Sequence, residues 1–424
     1  MEKVFREQLK DKNMKKLKLN IILSLILIIV FLLGACGKKN NRYTIIDDNY
    51  RNYYQIFPYS FADSDGDGIG DIKGITQQLD YLSDLGVNGV WLTPIMPSNS
   101  YHKYDVNDYY EIDPEFGTLT DFKELIDEAH KRGIRIIIDL VFNHTSTSHP
   151  WFVESTDYLK KLGDKEANSD ECPYLEYYNF TKEDNKGDTY HPIKGSDWYY
   201  EGVFWGGMPD LNLSSNKLRK EIEDIAKFWL DLGVDGFRLD AAKEFYSGEK
   251  ERNIEVLNWF SEYVKSIKKD AYLVAEVWDT DAALTQYYKS GILSLFNFPL
   301  SQHTGIIIKA VKQLDNMDAA TYIKEILKLE ESYKSANPDY IDSPFISNHD
   351  TTRISDQCIY NEDQMKMAAG LLLTMKGSPF IYYGEEIGMS SLGSKDENKR
   401  LPMRWSDTDS KYMTKGPIDA DDVD

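Results

Sequence analysis

Eight short apolar runs recur between residues 50 and 383, at Tyr54–Phe57, Gly89–Leu92, Ile134–Val141, Gly236–Leu239, Tyr272–Val277, Leu293–Phe298, Pro344–Ile346 and Pro379–Tyr383. Runs of this length, rich in β-branched and aromatic residues, read as strands. Amphipathic stretches such as Thr120–Lys131, Lys217–Leu232 and Asp363–Met375 separate most of them. Strands apolar on both faces, joined by crossover helices, form parallel sheets covered on both sides. Eight such units predict an α/β chain folded as a (β/α)8 TIM barrel, spanning residues 53–144 and 214–405. The connection after the third run, residues 145–213, is too long for a turn. It is rich in Tyr, Trp, Gly and Asp with little periodicity, and reads as an ordered inserted subdomain. No helical pattern follows the eighth run, so neither an eighth helix nor a C-terminal β-sandwich is expected, and 406–424 read as an acidic tail. Phe380, Ile381, Tyr382 and Tyr383 would then lack a covering helix.

Four of the runs end in groups that can carry chemistry. Asp139 leads to Asn143-His144, Asp240 closes the fourth strand, Glu276 the fifth, and His349-Asp350 follow the seventh. A single acid after a strand is commonly a helix cap. Four such ends in one barrel converge on its C-terminal face, where barrel enzymes build their sites. The net charge of −21 excludes a nucleic-acid partner, which needs a basic surface. Aromatic residues make up 13% of the chain, which suits stacking on the apolar faces of sugars and equally suits an aromatic core. Cys36, Cys172 and Cys358 form no disulfide framework, and the last two read as separate thiols.

The motifs Asp139-Leu-Val-Phe-Asn-His144, Gly236-Phe-Arg-Leu-Asp-Ala-Ala-Lys243, Glu276-Val-Trp278 and Ser347-Asn-His-Asp350, together with Met208-Pro-Asp-Leu-Asn212, resemble in order those of glycoside hydrolase family 13, the α-amylase family. The resemblance runs from about Tyr53 to Trp405 and implies retaining hydrolysis of α-glucans. On it, Asp240 is the nucleophile, Glu276 the general acid/base and Asp350 the holder of the distorted sugar. Tyr104 and Asp105, His144, Arg238, Lys243 and His349 are the implied substrate contacts. Arg238 lies two residues before Asp240, so both side chains leave the strand on one side. Its guanidinium would keep Asp240 ionised. Glu276 would need a less polar neighbourhood, such as Trp278, to stay protonated.

The loop Asp63-Ser-Asp65-Gly-Asp67-Gly-Ile69-Gly-Asp71 begins like a Ca²⁺ loop, with carboxylates at alternate positions and a carbonyl from Ile69. Gly74 stands where an EF-hand has its bidentate Glu, so the loop is instead similar to a structural Ca²⁺ loop of bacterial relatives. A second Ca²⁺ site of the family is put in question by Glu244, which replaces a family His. Tyr101 stands where single-glucose-trimming relatives carry an acid, so the chain resembles endo-acting amylases. A maltodextrin or cyclodextrin hydrolase, an oligo-glucosidase and a non-catalytic amylase-like subunit are the alternatives. Finally, a basic start at Met14, the apolar run Ile21–Leu33 and Leu33-Gly34-Ala35-Cys36 read as a signal peptide over 1–36 whose end resembles a bacterial lipobox. Lipidated Cys36 would tether a monomeric enzyme through residues 37–52 to the outer face of the membrane; a signal anchor would tether it equally.

Overall fold

The computed structural model describes residues 50–183, 187–391, 393, 395–408 and 411–421. The signal-peptide and lipobox residues, Cys36 included, lie outside them. Among the described residues no helix is long and apolar enough to cross a membrane.

The barrel strands are β1 (Tyr53–Ile56), β2 (Gly89–Leu92), β3 (Arg135–Leu140), β7 (Gly236–Leu239), β8 (Tyr272–Ala275), β9 (Ser294–Leu295) and β10 (Phe380–Tyr382). Strands β4 (Phe180–Thr181), β5 (Tyr190–Pro192) and β6 (Tyr199–Glu201) belong to the insertion. The seven barrel strands form one parallel sheet in the order β10–β1–β2–β3–β7–β8–β9. The seventh predicted strand survives only as single bridges, Phe296 to Ser343 and Phe345 to Phe380, which join β9 to β10 and complete the ring. The sixth is shorter than predicted because Phe298–Leu300, with Pro299 inside it, turns into a 3-10 helix.

Side chains alternate along every strand. Tyr54, Ile56, Val90, Leu92, Ile136, Ile138, Phe237, Leu239 and Leu273 face the outer apolar core. Tyr53, Trp91, Ile137, Tyr272, Val274, Phe296 and Phe380 fill the barrel. Register does the next step. Asp139 and Arg238 are direct Cα partners across β3 and β7, and so project into the same layer of the interior. Gly236 starts β7 because nothing larger fits: at φ 152° a Cβ there would lie 1.9 Å from the Tyr272 carbonyl oxygen.

Outer helices form where caps and periodicity agree. The helix Leu119–Lys131 opens with a reciprocal capping box between Thr118 and Asp121 and buries Phe122, Leu125, Ile126 and Ala129. The helix Asn216–Leu232 is capped by Ser215 and ended by left-handed Gly233. The described residues of the insertion carry an antiparallel sheet β4–β6–β5 and a helix at Pro150–Leu162. Sequence reading missed that helix, although Pro150 at its start and buried Trp151, Ser155, Leu159 and Leu162 on one face were legible. Cys172 and Cys358 are buried and free.

The eighth strand is better covered than expected. Phe380 lies inside the barrel, and Tyr382 and Tyr383 are buried beneath residues 397–401, donating their hydroxyls to the carbonyls of Lys399 and Leu401. Only Ile381 borders an open apolar groove of about 470 Å³, with Leu85, Met365 and Leu372.

Candidate active site

The C-terminal strand ends open into a cleft of about 770 Å³, lined among others by Tyr104, His144, Asp240, Lys243, Glu276 and Asp350. Behind it lies one fully buried cation. The Nη1 of Arg238 is 2.8 Å from Asp139 Oδ1 and 2.5 Å from Asp240 Oδ1, and its Nη2 is 2.9 Å from Glu276 Oε2. The guanidinium also lies 5.2 Å from the Trp91 ring centroid. Burial alone would lower its pKa, but the surrounding carboxylates outweigh that and raise it well above the usual value.

The same burial acts on the acids. It pushes Glu276 up to about 7, against the opposing pull of Arg238, with Asp240 and Asp350 adding to the rise. Trp278 lines the same cleft, its ring partly exposed and stacked on Phe298 at 4.9 Å. Asp139, fully buried, is likewise pushed up to about 7 by burial, again opposed by Arg238. Asp350 goes the other way. Burial would raise it, but His349 Nε2 at 3.0 Å and Arg400 Nη2 at 2.8 Å hold it well below the usual carboxylate range.

A hydrogen-bond chain fixes the tautomer of His349. Its Nδ1 contacts the Gln55 amide at 2.6 Å and accepts there, so Nε2 carries the proton toward Asp350 and the Tyr104 oxygen. Tyr104 then donates to Asp139 Oδ2 at 3.0 Å, with its ring stacked on the imidazole. His349 and Arg238 are fully buried, the first in contact with Asp350 and the second with Asp240 and Glu276. His144 lines the cleft with a buried Nε2 that has no protein partner, and burial lowers its pKa and keeps it neutral. Lys243 Nζ donates to the Trp278 carbonyl at 3.0 Å, beside Asp279. Asp105 is buried, and its Oδ1 accepts the hydroxyls of Ser98, at 2.7 Å, and Ser100, bracing the loop.

In the acidic loop, carboxylate oxygens of Asp63, Asp65 and Asp71 lie within 4.8 Å of one another. Asp67 stands outside that group, accepting the Ile69 amide at 2.7 Å, and its carbonyl takes Lys415 Nζ at 2.8 Å. Glu244 lines the cleft and accepts from the Ser247 hydroxyl.

Sequence reading missed Arg400, which bonds Asp350, Tyr101 and the His349 carbonyl. It follows Asp350 by 50 positions and belongs to no strand end, so no periodicity pointed to it. It also missed His102 and the exposed rings of Phe204 and Trp205, which the insertion contributes to the cleft. Burial, then Arg400, lowers His102 to about 4.

Residues 55–417 match the family described as Alpha amylase, catalytic domain. The chain is 45% identical over 370 residues to Alpha-amylase 3 of Dictyoglomus thermophilum, covering 86% of this chain and 70% of that one. It is 34% identical over 381 residues to an Oligo-1,6-glucosidase of Parageobacillus thermoglucosidasius, covering 80% and 65%. Among solved structures, Eubacterium rectale Amy13B superposes with a TM-score of 0.86 at 50% identity, covering 89% of this chain and 74% of that chain.

Proposed function

The chain belongs to the α-amylase catalytic-domain family and is a glycoside hydrolase of α-glucans; from that premise we propose that it performs retaining endo-hydrolysis of α-1,4-glucosidic bonds as a monomer. The observation that carries the reading is the pair Asp240 and Glu276 on adjacent nitrogens of one buried guanidinium. That arrangement suits the ~5 Å spacing of a retaining pair better than the wider gap that admits an inverting water.

Asp240, ion-paired with Arg238, attacks the anomeric carbon. Glu276, kept protonated by burial, gives its proton to the glycosidic oxygen and later takes one from the incoming water. Asp350, held ionised, accepts sugar hydroxyls, and the open Nε2 of His144 binds another. Tyr104 lies under the same sugar. Endo action is supported by Tyr101 in place of an acid and by the exposed rings of Phe204, Trp205 and Trp278 around the cleft. The similarity to an Oligo-1,6-glucosidase favours a mixed-linkage maltodextrin hydrolase as the second reading. Sizing products from starch, pullulan and maltotriose separates the two.

A structural Ca²⁺ would be held by Asp63, Asp65 and Asp71, whose hard oxygen donors fit it. It would brace the loop after β1 and take no part in bond cleavage. The basic, apolar, then Leu-Gly-Ala-Cys order supports placement at the outer face of the membrane through lipidated Cys36.

Asp240→Asn and Glu276→Gln should each remove most hydrolysis, about 10³-fold or more, and the first products of the native enzyme should keep the α configuration. Proton NMR showing β-anomers first would refute the mechanism. Because Glu276 must carry a proton and its pKa is raised to about 7, kcat/KM should be full below that pH and fall as pH rises through it. A rate still climbing between pH 7 and 9 would exclude Glu276 as the acid. Ca²⁺ should raise the thermal midpoint, and Asp65→Ala should abolish that rise while leaving the metal-free midpoint nearly unchanged. Mass spectrometry of the native protein should find a diacylated Cys36 terminus; an unmodified Met14 terminus would defeat the anchor.

A further inference from the structure

Between the two cleft residues His102 and Tyr104 stands a buried cation that does not face the cleft. Lys103 has a left-handed backbone, φ 63°, and is 3% exposed. Side chains rarely adopt that conformation, and it persists only where the surroundings impose it. Here they do. The ammonium lies 2.9 Å from Asp113 Oδ2 and 2.5 Å from Glu115 Oε2, and 5.4 Å from the Phe116 ring centroid. Asp113 Oδ2 also accepts the Ser98 amide at 3.1 Å, so one carboxylate ties both the start of the loop and its middle.

The reversal at Lys103 has a consequence on either side. His102 and Tyr104 both line the cleft while the residue between them is anchored in the protein. The Tyr104 amide donates to His102 Nδ1 at 3.1 Å, and the Lys103 amide donates at 3.2 Å to the Ser100 hydroxyl, which itself donates to Asp105. Without the ammonium, Asp113 would be a buried carboxylate missing its partner. The amide bonds of Lys103 to Ser100 and of Tyr104 to His102 would then be left to hold the turn without the ion pairs, and relaxation of φ to a negative value would swing His102 and Tyr104 off the cleft.

We propose that Lys103 is a positioning residue for α-glucan cleavage: clamped by Asp113 and Glu115, it imposes the strained turn that sets Tyr104 beneath the sugar. This rests on the hydrolase reading of the cleft. The test uses maltoheptaose, with kcat and KM measured separately, on Lys103→Met, Lys103→Arg, Tyr104→Ala and the double variant Lys103→Met/Tyr104→Ala. Lys103→Met should lose about tenfold or more in kcat/KM, mostly in kcat, because a small misplacement of a sugar platform acts on the reacting geometry. Lys103→Arg should recover to within about threefold of the native rate, and the double variant should be no slower than Tyr104→Ala alone. A Lys103→Met enzyme within about twofold of native, or losses that multiply with those of Tyr104→Ala, would overturn the proposal. If Lys103→Met does not fold, Glu115→Gln weakens the clamp from its half-exposed side and faces the same two criteria. A native chain that binds maltoheptaose without cleaving it would defeat the hydrolase reading alone; Lys103 is then judged by the same comparison in calorimetric affinity. A native chain that does neither overturns both.

Discussion

The active end of this barrel depends on one guanidinium. Arg238 is fully buried and contacts three carboxyl groups, Asp139, Asp240 and Glu276, none of which could be placed there as a group without it. Taking charges out of water is costly, and a buried ion pair rarely repays that cost in stability alone. The three acids have different solutions. Asp240 stays in contact with Arg238 and opens to the cleft. Glu276 and Asp139 are pushed toward neutral pH by burial. At Glu276 and Asp139 burial thus works against the shared cation and prevails. Asp350 escapes the same burial because it has its own partners, His349 and Arg400.

The strand geometry makes this sharing unavoidable. Residues two apart on a strand face the same way, so Arg238 on β7 and Asp240, one residue past its end, stay side by side. Register places Asp139 opposite Arg238 on β3, and β8 delivers Glu276 one step beyond Ala275, the Cα partner of Leu239. At the other end the interior holds stacked aromatic rings, with Tyr53 between Tyr272 and Phe380 at centroid distances of 4.9 and 4.6 Å. The apolar end provides the stability against which the charged end is held in place.

How much of this was legible follows from where each residue sits. Asp240, Glu276, His349 and Asp350 follow predicted strands, so barrel topology alone brings them to one end. His144 follows a strand by a few residues and was legible within its motif. Arg400 was not, because the end of a single 3-10 turn, Glu397–Arg400, 50 residues beyond Asp350 has no period to betray it. The partners of Asp105 were out of reach for a related reason: a motif gives proximity to the cleft, but nothing in it points to the Ser98 and Ser100 hydroxyls that hold its Oδ1. The helix Pro150–Leu162 was overlooked because the aromatic and polar residues around it masked its apolar face. The seventh strand was overstated, since Pro344 removes a backbone donor and leaves only single bridges.

Tyr104 is the point where the two buried cations meet. Its hydroxyl belongs to the system of Arg238, donating to Asp139 and touching His349. Its backbone belongs to the system of Lys103, one residue away, whose ammonium is fixed by Asp113 and Glu115. A phenylalanine could offer the same apolar face to a sugar but would be held at only one end, and Asp139 would lose a donor in a place where burial already works against its charge. The tyrosine is thus fixed at tip and root by separate ion clusters, on elements far apart in sequence. A ring with so little freedom turns one orientation to the cleft, and its side-chain entropy is already spent in folding.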